Sequence, residues 1–263
     1  MIRIDCRGLS GGDLSKAEPI RLAYDCLVKN GYAILDHVLA EDKARQLNAD
    51  FNSHSARYLQ NREFEDTLAV GDRRHMVPID LAGAFRDPVV YANPVVVAVV
   101  REALGWDAIL ESFGVVISLA GSRQQHIHRD GRPLFDSVIS PLLPAYALTF
   151  ALPLVDMDEA HGTTALLPGS HRWKDYDKEG AAEAPGIPVG SCALWDFRLF
   201  HGGTANRSDV NRPMVYGTYA RPWFQDVDNF VKEAQQRLAF DESFLESVPE
   251  DRRSLFSHLR RRC

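Results

Sequence analysis

From Ala108 onward the chain is a succession of short apolar runs broken by Gly, Pro, Asn and Asp, and this pattern most narrowly limits what it can fold into. The runs are Ile109–Leu119, His126–Asp130, Tyr146–Val155, Thr164–Leu167, Ser191–Arg198 and Met214–Arg221. Strands at that spacing, with turn residues between them, predict an antiparallel sandwich or jelly roll.

The preceding half reads differently. Ala17–Lys29 sets Ile20, Ala23, Tyr24 and Leu27 at helical spacing, and Asn30-Gly31 supplies a left-handed stop. Tyr32–Leu39 has strand composition, and Ala40–Phe51 returns to helix. Residues 52–94 are irregular and polar, which predicts loops and short helices around a turn-like basic cluster, Gly71–His75. Asn93-Pro94 opens a helix that Gly105 ends after Leu104. Phe230–Leu259 is helix-prone except at Pro249. The expectation is one domain, mainly β with flanking helices: a helical N-terminal cover over about 1–107, a β core over about 108–223 and a helical C-terminal segment over about 224–263.

With 45% hydrophobic and 25% charged residues, the chain has apolar surface enough for a core. A net charge of -6 argues against general nucleic-acid binding, and Arg260–Arg262 reads as a frayed, solvated end. Cys6, Cys26, Cys192 and Cys263 are scattered and form no C-x-x-C pair, so neither a zinc ribbon nor a disulfide framework is expected and a reducing compartment fits. The first residues lack a signal-peptide core, and Val95–Val100 is too short to span a bilayer. These features predict a soluble, cytoplasmic protein with a small-molecule substrate and neither nucleic acid nor membrane as partner.

The chemistry is concentrated in three places. Gln125–Gly131 contains an H-x-D unit at the end of an expected strand, and residues two apart in a strand face the same side, so His128 and Asp130 present an imidazole and a carboxylate to one point. His201 follows the later strand Ser191–Arg198 and completes a set of two histidines and one carboxylate. Such a set occupies one face of an octahedral ion and leaves the other positions open, as in non-haem Fe(II) oxygenases, whereas a structural zinc site closes with four protein ligands. After the turn-rich stretch Gly202–Asn211 comes Arg212, carried back beside His201 if the stretch is a hairpin connection. Its guanidinium can take the distal carboxylate of a dicarboxylate whose 2-oxo acid end chelates the iron.

Gln125-x-x-His128-x-Asp130-Gly131, Gly162–His171, His201–Ser208 and Arg212-Pro213 together resemble the phytanoyl-CoA dioxygenase family, over roughly Gly31 to Trp223. The resemblance implies a double-stranded β-helix (jelly roll, cupin-like) core, with Fe(II) on His128, Asp130 and His201 and 2-oxoglutarate on Arg212. It also implies O2 as cosubstrate, and Thr149 and Gln125 at positions that face the cosubstrate. The expected reaction is hydroxylation, or another oxidation, of a C–H bond in a small metabolite, with release of succinate and CO2. Asp130 disfavours halogenation, for which that carboxylate would be lacking. Gly203 departs from the serine frequent in the family two residues after the distal histidine, so a hydroxyl contact to 2-oxoglutarate is absent or moved to Thr204.

Other residues carry two readings each. His126 shares a strand face with His128 and is either a substrate contact or a buried, hydrogen-bonded histidine. His171 reads as a turn residue. Arg73, Arg74 and His75 form a solvated basic loop or recognise an anionic substrate group, with Arg73 the candidate for contact. Phe135 is a candidate wall of the pocket, and Trp195 and Phe197 read as core aromatics. The rival functions are a cupin-type metal-dependent hydrolase or isomerase, which does not need Arg212, and a jelly roll that binds a small ligand without catalysis.

Overall fold

A computed structural model describes residues 3–10, 12–62, 64–177, 180–231 and 235–259. Arg260–Arg262 and Cys263 lie outside the described residues. The elements in chain order are β1 (Arg3–Asp5), α1 (Glu18–Asn30), β2 (Tyr32–Asp36), α2 (Glu41–His54), β3 (Leu68–Gly71), β4 (Arg74–Pro78), α3 (Pro88–Tyr91) and α4 (Pro94–Leu104). They are followed by β5 (Ile109–Ser118), β6 (Ala147–Pro153), β7 (Thr164–Leu166), β8 (Cys192–Asp196), β9 (His201–Gly203), β10 (Arg212–Ala220) and α5 (Glu242–Ser247).

The helix signals act as expected. Gly31 adopts φ 82° and its N–H closes on Leu27, while the Asn93 side chain accepts from the N–H groups of Val95 and Val96 to start α4. No helix among the described residues is long and apolar enough to cross a membrane.

Eight strands form one sheet in the order β1-β2-β8-β6-β10-β5-β4-β3, antiparallel except for β1 on β2. A smaller sheet pairs β7 with β9, extended by single bridges from His201 to His128 and from Leu166 to Glu183. The two sheets make the jelly roll. Side chains alternate across the larger sheet. Val115, Ile117, Leu148, Leu152, Leu194 and Val215 join Ile20, Leu47, Phe51, Val96 and Val100 of the helices in the main core. The opposite face, with Ser112, Val116, Thr149, Trp195, Met214 and Thr218, lines a cavity. Both faces of β5, β6, β8 and β10 are covered, so these strands read as nearly unbroken apolar runs rather than strict alternations.

Three expectations need correction. His126–Asp130 is not a strand. Gln125 N–H donates to Gly203 at 2.9 Å and His128 exchanges both backbone bonds with His201, so three steps on one segment oppose two on the other. The extra residue is a bulge that interrupts the ladder. The N-terminal cover is not purely helical, because β1 to β4 lie in it and join the large sheet. In particular, 52–94 contains the β3–β4 hairpin, whose turn holds Gly71 and Arg73 at positive φ. Among its described residues the C-terminal segment holds only α5 and a 3-10 turn at Glu250–Phe256. Arg237 and Ala239 are instead held outside any helix, their carbonyls accepting from the N–H groups of Phe113 and Leu81, a tertiary pairing that overrides helix propensity.

That C-terminal segment is anchored by Phe244, fully buried with its ring 5.2 Å from Tyr91, 5.3 Å from Phe256 and 5.5 Å from Phe240. Phe244→Ala is expected to cost about 3–5 kcal/mol in denaturant unfolding. A loss below about 1 kcal/mol would mean that the segment does not pack as a part of the core.

Candidate metal centre

The cavity between the sheets holds about 340 Å³ and receives side chains from both. On its smaller-sheet side, the reciprocal bonds His128 N–H to His201 O (2.9 Å) and His201 N–H to His128 O (2.8 Å) set the two histidines opposite each other. Their ring centroids lie 4.6 Å apart. Asp130 follows two residues on, with one carboxylate oxygen 3.4 Å from His201 Nε2. One nitrogen or oxygen from each of His128, Asp130 and His201 falls within 4.8 Å of the others, and among the described residues no further His, Cys, Asp or Glu joins them.

The surroundings prepare these atoms to donate. His128 Nδ1 is 3.0 Å from the carbonyl of His126 and His201 Nδ1 is 3.0 Å from that of Leu199. A carbonyl can only accept, so each Nδ1 carries the proton and each Nε2 keeps a free lone pair toward the centre. Burial, reinforced by the neighbouring His201, lowers the His128 pKa and favours the neutral, coordinating imidazole. Asp130 Oδ2 accepts from Thr149 Oγ1 at 2.6 Å and from Trp195 Nε1 at 2.9 Å. Thr149 and Trp195 are cross-strand neighbours on β6 and β8, so the large sheet grips one carboxylate oxygen and leaves Oδ1 to the centre. Asn229 adds a hydrogen bond from its Nδ2 to the Asp130 carbonyl at 3.0 Å.

Arg212 opens β10 and lines the same cavity, 3% exposed, with Nη1 3.4 Å from the Thr163 carbonyl and Nε without a hydrogen-bond partner among the described residues. Burial pulls its pKa down to about 9, with the positive Arg74 nearby as the second cause. Gln125 also lines the cavity, but as a strap: Oε1 accepts from Gly203 N–H at 2.7 Å and Nε2 donates to the Val70 carbonyl.

Other expected residues are redistributed. His126 is exposed at the cavity wall rather than buried, since the bulge turns it away from regular alternation. Phe135 is 61% exposed and does not line the cavity, because it belongs to an outer loop. Arg73 takes the hairpin turn at φ 53° outside the cavity, and its neighbour Arg74 points in instead. His171 is a buried turn residue with Nε2 3.3 Å from the Val28 carbonyl. Trp195 is buried as expected, yet its indole N–H has a specific task at Asp130, and Phe197 walls the cavity. The Trp195 contact carries no local signal in the sequence. Its one clue is that strand parity puts Trp195 and Thr149 on inward faces.

The fold has counterparts among solved structures. The epimerase SnoN, solved with Fe3+, alpha ketoglutarate and nogalamycin RO, superposes with a TM-score of 0.61 at 16% identity, over 89% of this chain and 96% of that one. AviO1 of Streptomyces viridochromogenes gives a TM-score of 0.61 at 18% identity, over 77% of this chain and 95% of that one. Both likenesses are of fold. In sequence, the dioxygenase aneA of Aspergillus aculeatus is 33% identical over 149 residues, 51% of this chain and 50% of that protein. This match therefore spans about half the length of the relative. The dioxygenase trt7 of Aspergillus terreus is 26% identical over 198 residues, 71% of this chain and 68% of that protein. The family model for phytanoyl-CoA dioxygenase matches residues 27–214, taking in every residue that builds the centre except Asn229, and the chain belongs to that family.

Proposed function

We propose that this dioxygenase uses Fe(II) and 2-oxoglutarate to oxidise a C–H bond of a small organic metabolite, with hydroxylation the default outcome. The observation that carries the reading is the pairing of an open three-donor face with a buried arginine that lacks an acidic partner among the described residues. Two neutral imidazoles and one carboxylate fit Fe(II) and leave room for a bidentate 2-oxo acid and for O2. Bound there, iron would couple reduction of O2 to decarboxylation of 2-oxoglutarate, giving succinate, CO2 and the oxidised substrate.

The chain's own residues supply position and enclosure. His128, Asp130 and His201 hold the metal. Thr149 and Trp195 keep the Asp130 carboxylate from rotating, so Thr149 acts through Asp130 as well as facing the cosubstrate. Arg212 takes the distal carboxylate, whose charge offsets the cost of burying the guanidinium. Gln125 ties the β3–β4 hairpin to β9 and closes that wall. A cavity of about 340 Å³, lined by Val116, Phe197, Met214 and Phe230 among others, suits a metabolite-sized, partly apolar substrate. Strands from both halves of the chain share the sheet that carries these residues, which supports one catalytic domain. A cupin-type hydrolase or isomerase would leave Arg212 buried and unused, and a binding module would leave the donor set without purpose.

An anaerobic absorption titration of the apoprotein with Fe(II) and 2-oxoglutarate tests the reading. Wild type is expected to develop a charge-transfer band in the visible, and His201→Ala to lose it. Arg212→Ala should need roughly 10- to 100-fold more 2-oxoglutarate for half-saturation. A folded, iron-loaded wild type without a band would overturn the assignment.

A second set of variants isolates the carboxylate grip. Trp195→Phe and Thr149→Val each remove one hydrogen bond to Asp130 and are expected to weaken Fe(II) binding by about 10- to 100-fold, read by competition with a metal indicator. Unchanged affinity in both would show that Asp130 does not need them.

A further inference from the structure

We propose that the end of the cavity built by Ser112, Tyr216, Thr218 and Asp226 binds a protonated amine of the substrate, which makes an amine-bearing metabolite the molecule oxidised at this centre. The inference rests on the function proposed above and names the substrate class for it.

The larger sheet supplies three hydroxyls. Ser112 on β5 pairs with Thr218 on β10, which pairs in turn with Thr149 on β6, and Tyr216 stands two residues before Thr218 on the same inward face. Ser112, Tyr216 and Thr218 all line the cavity. Ser112 is fully buried, and its Oγ has no hydrogen-bond partner among the described residues. The hydroxyls of Tyr216 and Thr218 donate to no group among the described residues. Gly114, opposite Tyr216, leaves room for the phenol: a Cβ there would lie 2.8 Å from Tyr216 Cε1 and 3.0 Å from its oxygen. A buried hydroxyl without a partner is costly, so these groups are kept for something that enters the cavity.

Charge gives the second, independent indication. Asp226 reaches the same end of the cavity from the C-terminal loop. Its Oδ1 accepts from the N–H groups of Asp228 at 3.1 Å and Asn229 at 3.0 Å. Among the described residues its Oδ2 takes only Asn229 Nδ2, at 3.0 Å, and can accept again. Behind it, Glu111 Oε1 accepts from the Asp226 N–H at 3.1 Å and pairs with Arg237, while Glu111 Oε2 is buried with no partner among the described residues. Arg237 is the one cation, among the described residues, that pairs with either carboxylate, so two buried carboxylates face one guanidinium. Burial raises the pKa of both, the direction expected where positive charge is short. A neutral alcohol would satisfy the hydroxyls and leave the charge uncovered. An ammonium group brings three N–H donors together with the missing charge. Asn229 Nδ2 donates to Asp226 Oδ2 and to the Asp130 carbonyl, each at 3.0 Å, so the amine is held one side chain away from a metal ligand. The anchored nitrogen thereby directs a nearby carbon to the metal.

The test uses three probes of one shape: benzylamine, which is protonated near neutrality, benzyl alcohol and toluene. Each is titrated anaerobically into the protein loaded with Fe(II) and 2-oxoglutarate. Calorimetry follows binding, and the charge-transfer band checks the centre before a probe is added. Wild type should bind benzylamine roughly 10-fold or more tightly than benzyl alcohol, and the alcohol more tightly than toluene. Asp226→Asn should bring benzylamine to the level of benzyl alcohol. Ser112→Ala should weaken benzylamine by roughly 3- to 10-fold and leave toluene within about twofold. If Asp226→Asn loses the band or melts unlike wild type, Ser112→Ala carries the comparison. Equal binding of amine and alcohol by wild type overturns the proposal. So does an amine preference that survives both substitutions, which would place the nitrogen on the iron or outside the cavity. A wild type that forms the band yet shows no amine preference rejects this inference alone, whereas a folded, iron-loaded wild type without the band rejects the cosubstrate reading with it.

Discussion

Two backbone hydrogen bonds between His128 and His201 are the constraint on which the site depends. They join segments far apart in sequence, and they do so at the residues whose imidazoles must meet. A backbone pair of this kind fixes side-chain position more tightly than contacts between flexible side chains, because two hydrogen bonds define the relative orientation of two peptide units. The bulge just before His128 follows from the same pairing: Gln125 must still reach Gly203, and one residue too many lies between the two contacts.

The larger sheet completes what the smaller one begins. Its helix-facing side is a conventional apolar core, and rigidity there lets the other face hold polar groups in fixed positions. Ser112, Thr218, Thr149 and Trp195 form one rung across β5, β10, β6 and β8, and the last two grip Asp130. At the other end of the cavity, Arg74, Ser118 and Arg212 make a rung of opposite character. Between them Val116 and Met214 supply apolar wall. The cavity is therefore polarised along the strands, with the metal donors near one pole and, at the other, two arginines that form no ion pair among the described residues. Such a field favours a ligand that brings negative charge to the arginine end while chelating at the metal end.

The C-terminal loop belongs to the same design. Asp226 organises it by accepting from the N–H groups of Asp228 and Asn229 and from the Asn229 side chain, which in turn reaches the Asp130 carbonyl. Burial raises the Asp226 pKa, a cost offset by those three donors. The loop thereby adds a wall to the cavity and a brace to the metal ligand at once.

What the sequence by itself determined is the local grammar and the residues that meet at the cavity: Gly31 and Asn93-Pro94 as helix punctuation, β2 and five of the six strands proposed from Ala108 onward, and His128, Asp130, His201 and Arg212 as neighbours about one cavity. These were legible because periodicity, capping and a short ligand motif are encoded within a few residues of one another. Tertiary structure alone decided the rest. It paired the polar β3–β4 hairpin with β5, turned Arg74 rather than Arg73 inward, assigned Thr149 and Trp195 to Asp130, and drew Arg237 and Ala239 out of helix by bonding them to Phe113 and Leu81. The physical reason is common to all four: each depends on which strands become neighbours and in what register, a property of long-range pairing that no local pattern of residues contains.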